Sequence, residues 1–152
     1  MAFSSLRTLI GGGGGGGGNP YAIFGYGTTG SVSSLTNKVD SSGVVATDTT
    51  GVGTARSSLA AAGYGSDKAI FGYGTTGSVS SLTNKVDSSG VVATDTTGVG
   101  TARSYLAAAG YGTDKAIFGY GFTGSRVSMT NKVDSSGVVA TDTTGVGTAR
   151  SS

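Results

Sequence analysis

The sequence predicts an all-β fold built from repeated units, and three observations carry that reading. A block of 47 residues, AIFGYGTTGSVSSLTNKVDSSGVVATDTTGVGTARSSLAAAGYGSDK, runs from Ala22 to Lys68 and returns from Ala69 to Lys115 with two changes, Tyr105 for Ser58 and Thr113 for Ser66. It begins a third time at Ala116 and continues to Ser152. Self-similarity at this period marks a repeat architecture in which each unit buries its apolar face against its neighbours. No window carries the i, i+3, i+4, i+7 apolar spacing of an amphipathic helix. Short β-favouring runs alternate instead with Gly-, Ser-, Thr- and Asp-rich turns, and glycine reaches 30 of 152 residues.

Four short strands are expected per unit. The first covers Ser57 to Ala62, small residues around Leu59, and Gly63 to Asp67 turns the chain. The second covers Lys68 to Tyr73, with Ile70, Phe71 and Tyr73. After Thr75-Thr76-Gly77, the third runs from Val79 to Val86, where alternation places Leu82 and Val86 on one face. Asp87-Ser88-Ser89-Gly90 reads as a hairpin turn, and Val91 to Thr96 is the fourth strand. Ala60-Ala61-Ala62 is too short, and too close to Gly63, for a helix. The chain divides into residues 1–21, an N-terminal strand and Gly-rich loop; 22–68, repeat 1; 69–115, repeat 2; and 116–152, a truncated repeat 3. Ser4-Ser5-Leu6 matches Ser57-Ser58-Leu59, so Ser4 to Ile10 is expected to supply a first strand that completes a blade. Gly11 to Gly18 reads as a flexible linker.

Composition narrows the function. Charged residues are 12% of the chain and the net charge is +2, with basic residues dispersed, so a nucleic-acid footprint is not expected. Cysteine and histidine are both absent. That removes thiolate metal sites, disulfides, and the commonest general base and metal ligand. No cofactor is expected. No apolar run approaches the roughly 18 residues of a membrane span, and MAFSSLRTLI lacks the pattern of a signal peptide.

Four strands in 47 residues is the size of a propeller blade. The order of features, an Arg before a small-residue strand (Arg103 to Ala109), a short turn, an aromatic strand ending in glycines (AIFGYG) and two outer strands joined by a polar hairpin, resembles the kelch repeat. Gly-Tyr-Gly stands where kelch repeats have a double glycine, and the outer-strand Trp is missing. The repeated units also resemble kelch-like repeats of bacteriophage and marine viral structural proteins. The resemblance implies three four-stranded blades in a non-enzymatic structural or interaction protein, a tail, fibre or capsid-surface component of a virion. Kelch-type oxidases with copper-radical chemistry need His and Cys ligands, which this chain does not have.

Three blades are too few for a ring, because propellers have four to eight. Closure by a second copy into a six-bladed homodimer is the favoured expectation, with a β-solenoid or fibre-like trimer as the alternative. Near-identical repeats also fit a designed or recently duplicated sequence. Other virion proteins or host glycans are the further partners considered.

The candidate site residues recur with the period. Asp40, Asp87 and Asp134 in VDSSG, and Asp48, Asp95 and Asp142 in TDTTG, could serve acid/base or calcium chemistry, but capping of their own turns is the favoured reading. Arg56, Arg103 and Arg150, with Asp67 and Asp114 in the following turn, could line a channel mouth and bind anions; salt bridging or hydrogen bonding between blades is favoured. Tyr26, Tyr73 and Tyr120 could stack on sugars, as in a lectin-like carbohydrate-binding propeller, although packing between sheets accounts for them too. Gly51-Val52-Gly53 lacks the Lys of a phosphate loop. Repeat 3 carries most of the divergence, and its Phe122 and Arg126 suit an interface.

Overall fold

A computed structural model describes residues 21–152, and every described element is a β-strand or a turn. The expected strand at Ser4 to Ile10 and the run Gly11 to Gly18 lie outside the described residues. The first sheet pairs β1 (Ala22–Gly25) with β2 (Thr36–Val39), both from repeat 1 and antiparallel. The next sheet orders β3 (Ala60–Tyr64), β4 (Lys68–Gly72) and β5 (Thr83–Val86) side by side. The last repeats that meander with β6 (Ala107–Tyr111), β7 (Lys115–Gly119) and β8 (Thr130–Val133). All pairings are antiparallel, with Ala60 opposite Gly72 and Ala69 opposite Val86 in the second sheet and the same register 47 residues later. No ladder joins one sheet to the next among the described residues, and no closed barrel forms.

The strands are shorter than the sequence suggests, for local reasons. The first begins at Ala60 because Ser58 adopts a left-handed φ of 52°, which interrupts the extended run; Ser57 forms only an isolated bridge to Thr75. The third begins at Thr83 because Val79 folds back on Thr75 and the Ser80 hydroxyl accepts the Leu82 amide at 3.2 Å, a local turn that competes with the ladder. The expected fourth strand is reduced to two bridges onto β5, Val86 to Val92 and Thr83 to Thr96. These bridges are three residues apart on β5 and four apart on the outer segment, so one extra residue bulges out. The Asn84 side chain fills that irregularity by donating to the Ala93 carbonyl at 3.1 Å.

The core lies between successive sheets. Ala61, Ala69 and Phe71 point back towards the first sheet and join Ile23, Leu59, Val86 and Val92. Ala60, Ala62, Tyr64 and Ile70 point forward and join Leu106, Ala116, Phe118, Val133 and Val139. The middle sheet is therefore apolar on both faces, following the two-residue alternation of a strand. Phe118 fixes the spacing between sheets. A β-carbon on Gly72 would come within 2.7 Å of its ring, so only glycine admits the aromatic at that distance. Backbone bonds also tie equivalent segments together, from the Tyr105 amide to the Ser58 carbonyl at 2.9 Å and from the Ser152 amide to the Tyr105 carbonyl at 3.0 Å.

Candidate functional site

The recurring polar residues converge at the junctions between repeats. Each AIFGYG segment places its tyrosine in the left-handed region, with φ of 64°, 65° and 64° at Tyr26, Tyr73 and Tyr120. A side chain costs about 1–2 kcal/mol in that conformation, and the return is the position of the ring. Arg56, Arg103 and Arg150 stack over Tyr26, Tyr73 and Tyr120 with guanidinium carbons 5.0, 4.3 and 3.6 Å from the ring centroids. The next repeat adds its phenylalanine at the tyrosine's edge, Phe71 against Tyr26 at 5.1 Å and Phe118 against Tyr73 at 5.2 Å.

Each buried arginine is held by the following repeat. Arg103 donates to the Asn131 Oδ1 at 2.6 Å, to the Tyr120 carbonyl at 2.9 Å and to the Thr101 carbonyl at 3.1 Å, with the Asp142 carboxylate 3.9 Å away. Arg56 reaches the Asn84 Oδ1 at 2.5 Å and Asp95 at 3.4 Å, while its Nε has no partner among the described residues. The carboxylates close the junction from the other side. Asp95 accepts from the Thr54 amide at 3.0 Å, the Thr54 hydroxyl at 2.6 Å and the Asn84 amide nitrogen at 2.8 Å; Asp142 repeats this with Thr101 and Asn131.

Burial alone would raise the pKa of Asp95 and Asp142. The hydrogen bonds from Thr54 and Asn84, or Thr101 and Asn131, together with the arginine charge, outweigh it and hold both below the ordinary carboxylate value. Burial pushes the Tyr26 phenol up to about 12 and raises Tyr73 as well, against the pull of the neighbouring arginines. Both phenols donate to carbonyls of their own repeat, Val52 and Val99, at 3.2 Å.

The structure therefore brings six of the sequence-predicted residues together as three Arg–Tyr pairs, two of them enclosed. Arg56 and Arg103 are fully buried, whereas Arg150 is exposed. Asp95 and Asp142, expected to cap their own turns, instead reach across the junction to a threonine 41 residues away. Asp40, Asp87 and Asp134 do cap theirs; Asp87 accepts the Ser89 and Val91 amides at 2.8 and 2.9 Å. Asp67 and Asp114, expected near the arginines, pair with the adjacent Lys68 and Lys115, each at 3.0 Å. Phe122 and Arg126 are bridged to each other across an exposed hairpin, apart from the Arg–Tyr pairs.

Asn37, Asn84 and Asn131 are the functional residues that sequence reasoning passed over. Their invariant phase within TNKV, matching that of the arginines, was the available signal. Among the described residues no group of three or more metal-ligating side chains occurs, and no helix is long and apolar enough to cross a membrane. An open groove of about 530 Å³ lies between the second sheet and the turn after β8 of the third, bordered by Tyr64, Lys68, Lys85, Asp87 and Ser136. No model of a known protein family matches the chain, and no curated protein matches it.

Proposed function

We propose that the chain is a non-enzymatic structural and interaction protein whose three repeats are kelch-like propeller blades, and that copies of it associate, with a six-bladed homodimer as the favoured assembly. The observation that carries this reading is the use made of the recurring chemistry. The arginines, tyrosines and carboxylates repeated in each unit are engaged with the next repeat, twice over, in an arrangement that builds a stack of sheets. By its resemblance to kelch-like repeats of bacteriophage and marine viral structural proteins, the assembly belongs in a virion, as a tail, fibre or capsid-surface part. Electron microscopy of the purified chain tests the architecture. Rings with six radial blades are the expected image; rods or triangular fibres would favour a solenoid or trimer and remove the propeller.

A carbohydrate-binding propeller is the second reading, and the groove between the second and third sheets favours it because an aromatic, two lysines and a carboxylate border one concavity. Glycan-array binding that disappears in Tyr64→Ala would support it, and an array without signal would exclude it for the glycans displayed.

A further inference from the structure

The two ends of the stack are complementary to each other. At each internal junction one repeat presents an arginine stacked on a tyrosine and the next presents an asparagine, an aspartate and a phenylalanine. Repeat 3 presents the first set with nothing opposite it among the described residues. The Arg150 guanidinium stacks on Tyr120 and donates only to the Thr148 carbonyl among the described residues, at 3.4 Å. Repeat 1 presents the second set in the same condition. The Asn37 amide nitrogen donates to Asp48 at 2.8 Å, as Asn84 does to Asp95, but no arginine reaches either residue among those described.

The apolar surfaces follow the same rule. Phe71 and Phe118 are fully buried against Gly25 and Gly72 of the preceding repeats, while their equivalent Phe24 is 43% exposed. Gly119, the equivalent of Gly25 and Gly72, has no aromatic over it among the described residues, where a β-carbon would meet only Thr130, at 3.4 Å. Tyr64 packs over Gly137 and is buried, whereas Tyr111 is 40% exposed and the matching Gly43 has nothing near it. Charge, aromatic and cleft are each unfilled on one end and supplied by the other.

We infer that the repeat 3 end of one copy docks on the repeat 1 end of a second copy and reproduces the internal junction: Arg150 enters between Tyr120 and the second copy's Asn37 and Asp48, and Phe24 of the second copy covers Gly119. This deepens the reading of the chain as a self-associating repeat protein and rests on it, adding which surfaces meet. The contact is heterologous, so it closes a ring or extends a filament according to the rotation between copies. It explains why the phase of Arg, Tyr, Asn and Asp persists in repeats 1 and 3, where half of each set has no internal partner.

The test uses two single variants of the full chain, Arg150→Glu and Asp48→Lys, at exposed positions whose charges make only the stack on Tyr120, the bond to the Thr148 carbonyl and the bond from Asn37 within the copy among the described residues. Each opposes like charges across the proposed contact, so each alone should sediment at the monomer mass of 14.7 kDa while melting as a folded protein. Mixed one to one, they recover association, because the Arg150 end of one variant meets the Asp48 end of the other as in the wild type. Single variants that keep the wild-type assembled mass would place the interface elsewhere and overturn the inference while leaving self-association standing. Folded variants that lose association but stay monomeric when mixed would overturn it too. A wild-type chain monomeric at all concentrations would sink both readings.

Discussion

At the residue scale, the account turns on side chains held in costly states for the sake of the next repeat. Tyr73 adopts a left-handed backbone and lies between Arg103 and Phe118. Tyr73→Phe keeps the ring and loses the bond to Val99, which should cost about 1 kcal/mol. Phe118→Ala removes a fully buried ring and should cost about 3–5 kcal/mol; chemical denaturation measures both, and the order of the two effects checks that packing outweighs the hydroxyl. Gly72→Ala should destabilise by overpacking, since its β-carbon would press on that ring. The ionisable groups predict the pH response. Asp95 and Asp142 are depressed in the folded state, so their contribution is complete above the unfolded carboxylate value of about 3.9 and is lost as pH falls through the folded value. Stability measured by denaturant titration should fall below about pH 4, and Asp142→Asn should flatten that fall. At the alkaline end the sign reverses. Tyr26, raised to about 12, favours folding below the unfolded phenol value of about 10 and loses that contribution as pH climbs to its own. Ultraviolet titration should show Tyr26 and Tyr73 ionising above the ordinary phenol value, because burial raises both.

At the element scale, strand identity was legible and strand length was not. The aromatic strand and the VDSSG hairpin were visible because β-propensity and turn chemistry are local. Asp87 caps its turn by accepting two backbone amides, and Asp87→Ala should lower the melting temperature through loss of that cap, about 1 kcal/mol. The fourth strand was overread because alternation of Val and Thr does not reveal a bulge; the extra residue between Val92 and Thr96 is set by Asn84, nine residues earlier, bonding the Ala93 carbonyl. The TDTTG aspartates were misassigned for a related reason. Their sequence matches a capping motif as well as VDSSG does, but Thr54 reaches Asp95 over 41 residues, and no local pattern carries that distance. The Arg–Tyr stack was equally hidden, although the common phase of both residues allowed packing between blades to be considered.

At the scale of the whole molecule, the 47-residue period made the stack of sheets readable before any geometry, because identical units must solve the same burial problem at each interface. The middle sheet shows the solution, apolar on both faces and locked by an arginine at each junction. The outer sheets keep the same residues, with Phe24 and Tyr111 exposed. Apolar surface of this kind on a repeat array is covered by capping repeats or by association. Association of copies is the central claim, and the mass of the full-length protein in solution, by native mass spectrometry over a range of concentrations, tests it most directly. The account predicts a species at twice 14.7 kDa, six blades in a closed dimer. A single species at 14.7 kDa at every concentration would contradict it.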